Sequence, residues 1–287
     1  MNHSNDGIGE HADIPRGGVP KATGWIFPAL TYCTLTFAAS WWLWTDAGTL
    51  DDFEWKLNFL QLHLSLPNMA VLTVAGSLAP GIVALFIGYM SGWREYPNLV
   101  SQLRPRMYAG RLFLFSILAP ILVVLLTFMA QEGMNLNAVF SLQTVDFVRL
   151  FFVNILLAPL WEEYGWRGCL LPLLSKRFGL GRSSLIIGLL WAAWHFPLYH
   201  FVFRATLTSY LISSAAIVGM SVVLSVLYSA SSNSILLPVL FHAAWNAASI
   251  WVIDAEPRCD LGPALLEAVA VWFLAGLSWF WWHRLRK

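Results

Sequence analysis

Residues 112–130 read LFLFSILAPILVVLLTFMA, a run from Leu112 to Ala130 without one charged side chain. As a helix rising about 1.5 Å per residue it measures roughly 28 Å, close to the hydrocarbon thickness of a bilayer. Working outward, seven further runs are mainly apolar and long enough to span: Trp25–Trp44, Asn68–Met90, Val145–Leu174, Ser184–Phe203, Ser209–Ser229, Ser234–Ile253 and Ala264–Trp282. Composition agrees. Of 287 residues, 58% are hydrophobic and 11% charged, against roughly 25% charged in soluble domains. Mean hydropathy is +0.63. The expected fold is an all-α polytopic membrane protein, a bundle of about eight transmembrane helices in the lipid bilayer. A soluble enzyme would expose too much apolar surface at this composition.

The net charge of +1 gives no field favouring nucleic acid. Cys33, Cys169 and Cys259 form no CxxC pair, so neither a disulfide framework nor a thiolate metal site is expected. Residues 1–24 are polar and rich in Gly and Pro, the signature of a disordered tail. Residues 25–287 then form a single transmembrane helical domain.

Lys and Arg divide unevenly between the two sides that eight spans define. One side holds Arg16, Lys21, Arg94, Arg104, Arg106, Arg111, Lys176, Arg177, Arg182, Arg284, Arg286 and Lys287. The other holds only Lys56, Arg204 and Arg258. Positive residues mark the cytoplasmic side, so both termini are expected there. In the first outer loop, Phe53, Leu57, Leu60 and Leu64 recur at steps of 4, 3 and 4. That spacing predicts a short amphipathic helix, lying on the outer membrane surface or packed on neighbouring spans.

Ionisable side chains deep in a span cost roughly 2.5–3.5 kcal/mol each on insertion scales, so they need a partner or a polar cavity. Three groups stand out. EEYGWR at 162–167 places Glu163 four residues before Arg167, the favoured helical ion-pair spacing. Glu162 points about 100° away and is free for another task. An ion-paired helix interface accounts for Glu163 and Arg167 but poorly for a second carboxylate. WAAWH at 191–195 sets Trp191 and His195 on one face, and HAAWN at 242–246 does the same for His242 and Asn246. Each of these two pairs, alone, also reads as polar packing between helices. Depth joins the groups: Glu162, His195 and His242 lie roughly 18, 16 and 12 Å from the cytoplasmic ends of their spans.

A carboxylate, two imidazoles and an amide at similar depth suit water attack on a carbonyl. The carboxylate takes the proton of water, a second group orients that water, and donors stabilise the oxyanion. His242 and Asn246, one turn apart, are expected to donate to one oxygen. Zinc held by Glu162, His195 and His242 is an alternative, although no HExxH motif is present. Buried Glu, Arg and His also mark ion or proton pathways in transporters, but no internal repeat accompanies them here. A catalytically silent binding protein would keep the same residues.

At these positions the sequence resembles the CAAX-processing and bacteriocin-processing (Abi, or type II CAAX prenyl endopeptidase) family of intramembrane glutamate-type proteases. EEYGWR, WAAWH and HAAWN correspond in order and placement to its EExxxR, FxxxH and HxxxN/B motifs, with Trp191 where the family pattern has Phe. The resemblance covers roughly residues 145–253. It implies an eight-helix endopeptidase with a site open to the cytosol. Glu162 and His195 would activate water, His242 and Asn246 would form the oxyanion hole, and Glu163, Arg167 and Trp191 would support them. No cofactor is implied by this mechanism. An older reading of the family is a zinc protease. The substrate would be a peptide or protein cut near its C-terminus, with or without a lipid.

Overall fold

A backbone in hydrocarbon must satisfy its own hydrogen bonds, so apolar runs of this length become helices. The computed structural model describes residues 26–49, 54–59, 62–90, 99–104, 109–131, 144–253 and 261–285. The expected tail, 1–24, lies outside them. The helices are α1 (Ile26–Thr49), α2 (Asn68–Met90), α3 (Leu99–Gln102), α4 (Ala109–Gln131), α5 (Thr144–Leu157) and α6 (Pro159–Glu163). A π-helical stretch, Tyr164–Leu170, leads into α7 (Leu171–Trp194), and a second one, Leu198–Val202, follows it. Then come α8 (Leu207–Ala230), α9 (Leu236–Ile253) and α10 (Leu261–Leu285).

Six described stretches are long and apolar enough to cross a membrane, and two shorter apolar helices cover Phe147–Leu157 and Leu236–Val252. The longest, Pro159–Val202, has 44 residues and supplies two passes. Gly179 inside α7 has φ +73° and ψ 166°, the left-handed side that glycine adopts without penalty. On one straight helix Glu162 and Trp191 would sit roughly 43 Å apart. They are joined by a 2.9 Å hydrogen bond, so the chain turns back at Gly179. The outward surface is apolar, with Phe27, Phe86, Leu114, Phe152, Leu189 and Phe273 exposed. The protein is a multi-pass integral membrane protein.

One sequence expectation changes. Between α1 and α2 the chain forms an antiparallel hairpin, β1 (Glu54–Phe59) and β2 (Leu62–Pro67), where a short amphipathic helix was expected. Its register pairs Trp55 with Leu66, Leu57 with Leu64 and Phe59 with Leu62. Residues 54–66 alternate polar and apolar on each side of the turn, so the period of 2 wins over the looser 4-3-4 pattern. The fourth span, read as one pass from Val145 to Leu174 with a bend expected at Pro159, is broken at Ala158 (φ −139°, ψ −62°). Pro159 causes the break, because its ring has no N–H and crowds the preceding turn.

Prolines recur within spans, and donors from elsewhere take up the carbonyls they orphan. Pro80 frees the Gly76 carbonyl, which accepts Ser40 Oγ–H at 2.8 Å. Pro172 frees that of Gly168, approached by Gln102 Nε2 at 3.5 Å. Pro238 frees that of Ser234, which accepts Ser231 Oγ–H at 2.9 Å. In hydrocarbon such replacements are what make an internal proline tolerable. The core between the helices is built on indoles. Trp44, Trp166, Trp191 and Trp194 are fully buried, with Trp194 tilted against Trp44 (4.5 Å between centroids) and edge-on to Trp166 (5.8 Å).

The π-helical turn at 164–170 approaches α1 and α2 closely because Gly165 has no side chain. A Cβ there would overlap the Tyr32 hydroxyl and lie 2.6 Å from the Pro80 carbonyl. Gly165→Ala should therefore lose about 1–3 kcal/mol of stability through overpacking, read as a lowered unfolding midpoint in detergent. Gly110, with nothing within 4 Å of a built Cβ, serves as control. Gly110→Ala should leave the midpoint unchanged or slightly raised.

Candidate active site

Pro159 starts α6 at a position where a missing N–H costs nothing. The helix then presents Glu162 and Glu163 on different faces, as their spacing predicts. Both are buried, at 3% and 0% exposure. Glu163 Oε1 accepts from Arg167 at 3.1 Å, one turn along the π-helical stretch. The same oxygen accepts from His242 Nδ1 on α9 at 2.9 Å. Glu162 turns to α7, where its Oε2 accepts Trp191 Nε1–H at 2.9 Å.

The Arg167 guanidinium lies over the Trp191 ring, 4.6 Å from its centroid, a cation–π contact that spreads the buried charge. The His242 ring meets the edge of Trp191 at 5.2 Å, and His195 stands 5.6 Å from it between centroids. His195 Nδ1 is 2.8 Å from the Trp191 carbonyl. A carbonyl only accepts, so Nδ1 carries the proton, and in the neutral ring Nε2 keeps its lone pair. Trp44 stacks near His195 at 6.1 Å and Trp194 meets it edge-on at 4.7 Å. Glu162, Glu163, Arg167, Trp191, His195 and His242 thus converge from three separate segments. Asn246 follows His242 by one helical turn on α9 and is half-buried.

His242, expected to share an oxygen with Asn246, is tethered by Nδ1 to Glu163. Only its Nε2 remains for another partner. With Nδ1–H given to Glu163, Nε2 donates only in the imidazolium form, whose charge the Glu163 carboxylate offsets. Among the described residues no three His, Cys, Asp or Glu side chains are grouped so as to hold a metal ion.

One polar group escaped the sequence reading. Tyr199, one turn beyond His195, lies within electrostatic range of Glu267 on α10. Its signal was a single acidic residue inside the apolar run of the last span. The importance of the Trp191 N–H was also missed, since sequence alone shows only an aromatic ring at a packing position.

Residues 144–248, which contain all of these motif residues, match the family model described as type II CAAX prenyl endopeptidase Rce1-like. Over 114 residues the chain is 34% identical to a protein named CAAX prenyl protease 2 from Methanococcus maripaludis. That match covers 37% of this chain and 41% of the relative, so the chain matches less than half of the relative's length.

The two glutamates should separate in mutants. Glu163→Ala strands Arg167 uncompensated in the interior, a loss of about 3–5 kcal/mol. Glu162→Ala removes one hydrogen bond and should cost about 1–2 kcal/mol. Parallel unfolding curves of the two variants in detergent measure the difference. Equal midpoints would deny Glu163 its structural share.

Proposed function

We propose, from the match of residues 144–248 to the model of the Rce1-like type II CAAX prenyl endopeptidase family, that this chain is an intramembrane endopeptidase using a water nucleophile. Residues 25–287 form its single protease domain. Its substrate is a peptide or protein cut near the C-terminus, and a prenylated cysteine there is the chemistry that the family name indicates. The observation that carries the reading is the pair of adjacent buried carboxylates with separate partners. Glu163 is committed to Arg167 and His242. Glu162 has one oxygen on Trp191 and leaves Oε1 for water.

Glu162 is the general base in this mechanism. It takes a proton from water as the oxygen attacks the scissile carbonyl, and returns it to the leaving amine. His195 Nε2, with its lone pair free, accepts the second water hydrogen and aims the nucleophile. The tetrahedral oxyanion is stabilised by the Asn246 amide and by His242 Nε2–H in the imidazolium form. Glu163 and Arg167 hold that imidazolium in place. No metal takes part. Water and substrate enter from the cytoplasmic side, where the excess of Lys and Arg also places both termini.

Three measurements test this reading on purified protein in liposomes, with an internally quenched farnesylated peptide as probe. Glu162→Gln should reduce the hydrolysis rate at least roughly 10²-fold, and wild-type turnover by that variant ends the proposal. Chelators should leave the rate unchanged. A stoichiometric zinc whose removal stops turnover, and whose return restores it, would replace the metal-free mechanism. A cysteine introduced in the N-terminal tail, in a background lacking Cys33, Cys169 and Cys259, should react with an impermeant thiol reagent only from the cytoplasmic face. Labelling from the outer face reverses the orientation.

A further inference from the structure

Trp191 stands where the resembling motif has Phe, and the difference is one hydrogen-bond donor. Its indole N–H reaches Glu162 Oε2 at 2.9 Å, which a phenyl ring cannot do. Its ring face supports the Arg167 guanidinium. Its edge meets His242, and its carbonyl accepts His195 Nδ1–H at 2.8 Å. One residue thus touches the proposed base, the buried cation and both imidazoles.

We infer that Trp191 is the positioning residue of this site: its side chain orients the Glu162 carboxylate while its backbone carbonyl sets the tautomer of His195. The inference rests on the assignment of Glu162 as the base. The terminal torsion of a glutamate is broad and weakly restrained. A single N–H on Oε2 fixes the plane of the carboxylate and directs Oε1 away from the indole. In a site from which bulk water is excluded, that hydrogen bond is stronger than at a surface. The Trp191 carbonyl meanwhile keeps Nε2 of His195 unprotonated, as an acceptor for the second water hydrogen. The two groups that flank the water are referenced to the same residue, so their spacing is set before substrate binds.

A packing role alone does not explain the N–H. Buried indoles usually find an acceptor, yet Trp166 and Trp194, both fully buried, have Nε1 atoms without a hydrogen-bond partner among the described residues. The fold therefore tolerates an unsatisfied indole. The Trp191 indole, by contrast, is aimed at the carboxylate of the proposed base.

The test replaces Trp191 by 3-benzothienylalanine, which keeps the shape of the ring but puts sulfur in place of N–H. The probe is the farnesylated quenched peptide. A kcat lowered about tenfold is expected from loss of a charge-assisted hydrogen bond, with KM within about twofold. Trp191→Phe should lose a similar factor in kcat. Unchanged kcat in the benzothienyl protein, or a loss confined to KM, overturns the inference. A second readout needs no turnover. The Trp191 indole ¹⁵N–¹H resonance, identified by its absence in Trp191→Phe, should move upfield in Glu162→Gln as the anionic acceptor is lost. A stationary resonance also overturns the inference. Full turnover by Glu162→Gln is a different failure, since it removes the base itself.

Discussion

A single carboxylate oxygen, Glu163 Oε1, accepts from both Arg167 and His242 in the middle of an apolar bundle. Neither cation nor anion is stable there alone. A buried ion pair typically gains little over a hydrophobic pair of the same volume, but losing one member costs several kcal/mol. The interaction therefore acts as a constraint on arrangement more than as a source of stability. It obliges the α6–π-helical segment and α9 to meet in one register. Arg167 then lies against Trp191 on α7, which draws the third segment in.

Local chain chemistry makes that meeting possible. Pro159 interrupts the fourth pass just before the glutamates, and Pro172 follows the π-helical turn that carries Arg167. A π-helical turn adds a residue to the ring of hydrogen bonds and redirects the side chains that follow; such turns concentrate at functional sites. Gly165 and Gly168 line the widened segment, and each lies against a neighbour where a methyl group would clash: Tyr32 and Pro80 at Gly165, Gln102 at Gly168. The carbonyl left free by Pro172 meets Gln102 from α3. The irregular backbone is buried in protein, away from lipid, where a membrane protein tolerates it.

Rigid support matters for the proposed hydrolysis, because a base and an oxyanion donor displaced by an ångström lose much of their effect. Here the polar groups are braced by aromatic rings rather than by loops. Trp44 and Trp194 confine His195, and Trp191 separates the Glu162 and Arg167 side chains while touching both. The packing of large flat rings leaves few alternative rotamers, so each polar group is held in a single direction.

Much of this protein was legible in its sequence because hydrocarbon is an unforgiving solvent. Uncharged runs near 20 residues long have one stable conformation in it. Each ionisable residue inside them marks a site by its cost alone. Glu162, Glu163, Arg167, His195 and His242 were visible for that reason, and the Glu163–Arg167 pair followed from helical spacing. Contacts between distant segments obey no such local rule. Spacing could not show that Gly179 folds two passes together, that His242 spends Nδ1 on Glu163, or that the Trp191 N–H faces Glu162. Those depend on how helices far apart in the chain rotate against one another. The rotation is chosen by the packing of glycines, prolines and indoles across the whole bundle. The hairpin at 54–67 was readable in principle, but two periodicities competed over a dozen residues. Backbone pairing between two short strands, a cross-chain interaction, decided between them.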